Sequence, residues 1–484
     1  MTSLKLNYSL TTVRTVLSFF FPLIIFPYVS RILEPSGIGK VEFANSIVSY
    51  FVLFTALGIP IYGMREIARV RDNKEQCSRA ALELSFILLI TTITGYVLYF
   101  VLINFVPYFN IQKDIFFIIA PTIFLSSFNY DWFYQGIENQ TYITVRFIII
   151  KLLQIILIFL LVKNTDHYLR YAAIFVGLNG ISSLFNILYL RKYIHFVPYN
   201  TLNFSRHIKS VLIIFASIVA VNVYMQLDVT MTGIVCTDAE VGLYTAANRI
   251  IRIVIAVVTV FSTVITPRLE NCRNNNDVEA YNRYLNLSLH YVLIFGIPCC
   301  LGIISISKDV ITLFAGEKYL ASVITIKLLS PIIIFVGLAS FVGLQLLFLN
   351  REEYKYTIAV SIAAVVNAIC NVILIPRYAQ NGAALGTVIA EGIGLILQIV
   401  FARKYFSNVD FFSFNSLKYV IAGLCMYFIL QFVPYIKENV MLHCLLCITI
   451  GTVVYASVLI LLKEKLILEL ISQWRYKKIT ANKQ

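Results

Sequence analysis

The sequence predicts an all-α polytopic membrane protein of about fourteen transmembrane helices. Three observations carry that prediction. Only 13% of the 484 residues are charged, about half the share in soluble domains. Residues 84–112, 171–190, 284–307, 328–350, 356–376 and 439–462 hold no Asp, Glu, Lys or Arg, and roughly 20 such residues cross a bilayer as a helix. The third observation is the distribution of basic residues along the chain, which follows from the order of the spans.

Those spans fall at about 8–33, 41–63, 83–106, 114–134, 145–162, 169–190, 208–234, 241–266, 284–306, 324–349, 356–376, 382–402, 418–435 and 441–462. With the N-terminus inside, the first residues, the even-to-odd loops and the tail carry 25 of the 39 Lys and Arg. The opposite loops carry 10, basic residues at the very ends of spans being counted with the adjoining loop, and Arg14, Lys151, Arg249 and Arg252 fall deeper within spans. Cytoplasmic loops collect Lys and Arg, so both termini are expected in the cytoplasm. The net charge of +14 then records topology rather than nucleic-acid binding. The first apolar segment has no small-residue cleavage site and runs into the next span, so no cleaved leader is expected.

The nine cysteines are scattered. Cys444 and Cys447 form a CxxC inside the last span, where small buried hydrophobes are the expected use. No metal cluster, nucleophile triad or phosphate loop stands out, and no cofactor is expected. The connections are too short for a soluble domain or for the large outer loop of a membrane enzyme.

Two segments echo one another. "GKVEFANSI" (Gly39–Ile47) and "GLYTAANRI" (Gly242–Ile250) share Gly, Ala, Asn and Ile at one offset. "GIENQTYIT" (Gly136–Thr144) and "NREEYKYTI" (Asn350–Ile358) share Glu and Tyr. This is the order expected of two six-helix repeats of like orientation, a common plan for transporters. The expected organisation is an N-lobe over residues 1–200 (spans 1–6), a C-lobe over 201–410 (spans 7–12), and spans 13 and 14 with a basic tail over 411–484.

Pro22 and Pro27 remove backbone hydrogen bonds inside span 1, and the freed carbonyls need neighbouring helices or cavity water. They mark either a static kink or a gate. Charges within spans are rare and face the bundle interior or a wet path. Arg249 and Arg252, three apart, share a helix face and favour a cationic cavity for an anionic ligand. Arg14 and Lys151 join them as candidates, with snorkelling as the alternative. Arg31, near the outer end of span 1, fits snorkelling and is retained as a fifth cation. Asp228 and Glu391 either neutralise these cations or couple transport to an ion.

The run "FPLIIFPYVSRILEPSGIGKVEFANSIVSYFVLFTALGIPIYGMREIARVRDNKE" resembles the N-terminal signature of Wzx-type polysaccharide flippases, in the multidrug/oligosaccharidyl-lipid/polysaccharide exporter superfamily. "DWFYQGIENQTYIT" and "DVTMTGIVCTDAEVGLYTAANRI" resemble further patterns of that family. The resemblance implies a MATE-like fold of two helical lobes around a cationic cavity. It implies transport without covalent chemistry: an undecaprenyl-pyrophosphate-linked oligosaccharide passes from the inner to the outer leaflet of the bacterial cytoplasmic membrane, for O-antigen, capsule or exopolysaccharide. A polymerase and a chain-length regulator of the same pathway are the implied protein partners. A drug or cation antiporter of the superfamily is the alternative, although it wants acids in excess of bases. A membrane polymerase is a third reading, opposed by the short outer loops.

Overall fold

A computed structural model describes residues 4–110, 112–195, 197–409, 414–436, 439–464 and 466–468. The basic tail expected after span 14 lies outside the described residues. Two compact units divide the chain, Met1–Thr245 and Ala246–Gln484. All regular structure among the described residues is helical.

The first unit opens with α1 (Leu4–Ala56), α2 (Ile59–Val70) and α3 (Lys74–Phe105). The short α4 (Pro107–Asn110), α5 (Lys113–Ile119), α6 (Pro121–Ser127) and α7 (Asp131–Gly136) follow. It ends with α8 (Gln140–Leu161), α9 (Tyr168–Leu190), α10 (Ser205–Val235) and the first turns of α11 (Asp238–Asn274). The 53 residues of α1 would reach about 80 Å as one rod, far beyond a hydrocarbon core of about 30 Å. The chain instead leaves helical geometry at Glu34 (φ 58, ψ 176). Pro35, which needs no N–H partner, starts the next helix.

Neighbouring contacts establish that the chain reverses there. The Thr144 hydroxyl donates to the Leu10 carbonyl at 3.4 Å and the Tyr28 hydroxyl to the Val162 carbonyl at 3.0 Å. The first half of α1 therefore runs with α8. Thr91 donates to the Thr55 carbonyl at 2.7 Å, and Phe43 meets Tyr108 edge-on at 6.0 Å, so the second half runs against α3. Helices α3 and α8 start on one face, where Arg71 pairs with Glu138.

The second unit takes the rest of α11, then α12 (Val278–Ser305), α13 (Ser307–Phe314), α14 (Ser322–Leu329) and α15 (Ile332–Ser340). A π-helical turn over Phe341–Phe348 leads to α16 (Glu353–Ala402), α17 (Phe414–Gln431) and α18 (Val440–Leu461). Helix α16 is a second hairpin, broken at Ala379 (φ 49, ψ −130). Gly394 faces Ala363, Gly386 faces Asn371, and Gly382 faces Leu374 across it. Lys404 Nζ closes the open end on Glu352 Oε1 at 2.7 Å and holds that carboxyl below its ordinary range.

Among the described residues ten helical stretches are long and apolar enough to cross a membrane, eleven with the 45° bent pair Ser205–Val219 and Val221–Val235. Two of them, Ser9–Val70 and Glu353–Phe406, contain the hairpins. Counting each hairpin as two crossings and adding the shorter apolar helix Ser416–Gln431 recovers the fourteen crossings expected. Large apolar side chains stay exposed along them, Ile93, Val97 and Leu98 on α3 among them. Such a surface requires a hydrocarbon surround.

The loops of the first unit sort onto two faces. Gly37 lies against Thr165 and Tyr168, and Gln112 Nε2 donates to Asp238 Oδ2 at 2.7 Å. This face carries Lys40, Lys113 and Lys163. On the other face Ser78 Oγ accepts from the His195 N–H at 2.9 Å, and Gly136 packs on Met64 and Ile67. That face carries Arg65, Arg69, Arg71, Lys74, Arg79, Arg191 and Lys192. The basic loops that topology predicts on one side are thus brought together by packing.

Candidate functional site

The candidate residues of the first unit are Arg14, Arg31, Lys151, Asp228 and the two prolines. Arg14 on α1 is half-buried. Because α1 and α8 run in one direction with Leu10 level with Thr144, Arg14 and Lys151 sit within about one helical turn of the same height. Lys151 does not extend freely: its Nζ donates to Gln154 Oε1 at 2.9 Å and lies 5.3 Å from the centre of the Phe175 ring. Arg31 is exposed at the far end of the same half-helix, and its Nη1 donates to the Pro27 carbonyl at 2.9 Å.

Pro22 is exposed and Pro27 half-buried. The helix passes through both without leaving helical backbone angles; its one non-helical residue is Glu34. Asp228 is buried on α10, and the Tyr244 hydroxyl donates to its Oδ2 at 2.6 Å. Thr230, one turn-face away, places its Oγ1 2.9 Å from Ser46 Oγ and 3.2 Å from Tyr50 Oη. A polar track thereby joins α10 to the second half of α1.

In the second unit Arg249 and Arg252 are both half-buried on α11. Glu391 is half-buried in the returning arm of α16, within electrostatic reach of Tyr356 on the outgoing arm. The candidates therefore divide between the units, Arg14, Arg31, Lys151 and Asp228 with the two prolines in the first and Arg249, Arg252 and Glu391 in the second.

Several polar centres escape a reading of the sequence. Glu83 is wholly buried and its carboxylate accepts from the Asn203 N–H (2.6 Å), Arg206 Nε (2.9 Å) and His207 Nε2 (2.7 Å). His207 Nδ1 reaches the Tyr62 hydroxyl at 2.8 Å. This hub fastens the start of α10 to α2 and α3. Arg146 is also buried; its Nη2 meets Asp131 Oδ1 at 2.6 Å, while Nε and Nη1 have no hydrogen-bond partner. It lies one residue inside the start of span 5, where position alone suggests a loop charge.

In the second unit His443 Nδ1 lies 3.0 Å from Asp309 Oδ2, both buried. The π-helical turn presents Gln345, whose Nε2 reaches Ser288 Oγ (2.8 Å) and the Ser262 carbonyl (3.2 Å). None of these has a spacing signature, because their partners lie on other helices. Among the described residues no group of three or more His, Cys, Asp or Glu could hold a metal ion. Both CxxC cysteines are buried, and Cys447 Sγ lies 3.6 Å from His443 Nε2.

A family model described as polysaccharide biosynthesis protein matches residues 4–272. A curated relative, the putative O-antigen transporter of Escherichia coli (strain K12), is 22% identical over 407 residues, 83% of this chain and 97% of that protein. The lipid II flippase MurJ of Thermosipho africanus is 30% identical over 200 residues, covering 40% of this chain and 39% of the relative. Among solved structures, lipid II flippase MurJ in an inward closed conformation superposes with a TM-score of 0.74 at 20% identity, over 96% of this chain and 99% of that one. An inward-facing multidrug resistance MATE family transporter of the MOP superfamily gives 0.65 at 15% identity, over 80% and 94%. The MATE-like fold is therefore that of this chain. Matched over more than half its length, the chain belongs to the polysaccharide biosynthesis protein family.

Proposed function

We propose that the chain moves an undecaprenyl-pyrophosphate-linked oligosaccharide from the inner to the outer leaflet of the bacterial cytoplasmic membrane by alternating access. The observation that carries the reading is the pair Arg249 and Arg252, half-buried on one face of a membrane helix in a chain of the polysaccharide biosynthesis protein family. A guanidinium binds phosphate with a fixed fork and is less strongly hydrated than an ammonium, so a half-buried pair suits a pyrophosphate or an acidic sugar. Arg14, Lys151 and Arg31 line the route of the charged head in this reading. Asp228 and Glu391 serve ion coupling, and Pro22 and Pro27 soften span 1 as a gate.

The lobes are assigned as residues 1–200 and 201–410, with 411–484 appended and both termini cytoplasmic. The gathering of basic loops on one face of the first unit supports that orientation. A polymerase and a chain-length regulator would receive the product. No covalent step is involved, consistent with relatives that are transporters. Depletion of the chain in its host tests the reading. Lipid-linked repeat units should accumulate on the cytoplasmic side while surface polymer falls. Unchanged surface polymer together with new sensitivity to cationic drugs would instead support the antiporter reading.

A further inference from the structure

The echo between Gly39–Ile47 and Gly242–Ile250 acquires a physical meaning in the first unit. A Cβ added to Gly39 would lie 1.6 Å from the Asp238 carbonyl oxygen; one added to Gly242 would lie 2.0 Å from the Pro35 carbonyl oxygen. Pro35 and Asp238 each stand four residues before their glycine, and they correspond at the same offset as the glycines do. Each repeat therefore places its carbonyl against the other's glycine, a reciprocal crossing with a local two-fold relation. The carbonyls point along the direction a side chain would take, so Cα–H donates to oxygen from both sides. Small residues allow this approach between membrane helices; no residue with a side chain can make it.

Other contacts close around the crossing. A Cβ at Gly233 would lie 2.1 Å from the Phe43 ring, and the Tyr108 hydroxyl donates to the Gly233 carbonyl. Gln112 ties Asp238 from the side. Beyond Gly242, α11 carries the chain into the second unit.

We propose that the Gly39–Gly242 crossing is a state-selecting lock: it forms in one of the two conformations of the transport cycle and must part in the other. The inference rests on the alternating-access part of the proposed function. Its primary readout needs no substrate, so a failure of the lock is told apart from a failure of that reading. Cys236, half-buried just before α11, is the reporter. Burial beside Glu240 pushes its thiol up, which slows alkylation; opening the crossing should speed it.

In a background where every other cysteine is Ser, Gly39→Ala and Gly242→Ala should each raise the rate of Cys236 labelling by an impermeant maleimide several-fold. Each should also abolish export. Gly177→Ala, where an added Cβ meets nothing within 4 Å, should label and transport as wild type. If the glycine variants do not reach the membrane, a Gln112→Cys, Asp238→Cys pair with both glycines intact decides. Oxidised, it should block transport, and reduction should restore it. Wild-type transport or unchanged Cys236 labelling in the glycine variants, or wild-type transport by the fully oxidised pair, would overturn the lock.

Discussion

The segments 35–49 and 238–252 share one scaffold and differ in what it displays. In both, the glycine, the alanine (Ala44, Ala247) and the isoleucine (Ile47, Ile250) are buried and the asparagine (Asn45, Asn248) is half-buried. Among the positions that diverge, two set the charge. The second segment carries Arg249 and Arg252; the first carries Ser46, buried against Thr230, and Ser49, whose hydroxyl donates to the Asn45 carbonyl at 2.7 Å. Positions that pack backbone on backbone cannot vary without a clash. Positions on the neighbouring face can take opposite chemistry, so a symmetric frame can hold an asymmetric charge.

The comparison predicts its largest effect at the cations. Arg249→Ala with Arg252→Ala should lower export on the order of 100-fold or more, two charge-assisted hydrogen bonds being worth about 1.5–3 kcal/mol each. Lys at both positions should restore part of it, keeping charge without the fork. Surface polymer measured at equal protein in the membrane checks this.

Transplanting the cations sharpens the same contrast. Ser46→Arg puts a charge into a closed site and should destabilise the fold by several kcal/mol. Ser49→Arg, at a half-buried position, should express at near wild-type levels. Thermal stability in detergent separates them, and equal Tm values would mean the two serines do not differ as described.

A smaller effect is expected at span 1. Pro22→Ala with Pro27→Ala should restore backbone bonds, and an interior proline is worth about 3 kcal/mol. The regular helix around both prolines should therefore persist with a higher Tm. Export should stall, because shifting a two-state balance from 1:99 to 99:1 takes roughly 5.5 kcal/mol. Wild-type export by a stabilised protein would reduce the prolines to a static feature.

The smallest effect compares the hairpin tips. Glu34→Gly and Ala379→Gly should each raise stability by about 1 kcal/mol, since a non-glycine residue at positive φ in these regions costs of order 1–3 kcal/mol. Denaturation midpoints check both; a loss at either would mean its side chain holds the turn.

How far the sequence reveals this arrangement depends on the range of the forces involved. The spans and loop faces are legible because hydropathy and charge act locally along the chain: the basic loops from Arg65 to Arg79 and at Arg191 and Lys192 do lie together. The repeat is legible because Gly39 and Gly242 answer the same steric demand. The Glu83 hub is not, since nothing near Glu83 in sequence announces Asn203, Arg206 or His207. Arg146 is hidden by its place at a span boundary, where one residue decides between loop and core. The hairpin breaks are half-legible: Pro35 follows Glu34 directly, whereas Ala379 lies three residues after Pro376 with nothing in the residue itself to mark it.

The central claim, a flippase for a lipid-linked oligosaccharide that uses the Arg249–Arg252 face, is tested most directly in proteoliposomes. Purified protein would be reconstituted with an undecaprenyl-pyrophosphate oligosaccharide carrying a terminal sugar sensitive to an added glycosidase. In protein-free vesicles about half of the sugar, that in the outer leaflet, should be cleaved, and the rest should resist for as long as the pyrophosphate cannot cross. The account predicts that wild-type protein exposes the remainder within the assay and that the Arg249→Ala, Arg252→Ala protein leaves it protected. Continued protection with the wild type, or equal exposure by the double mutant, would contradict it.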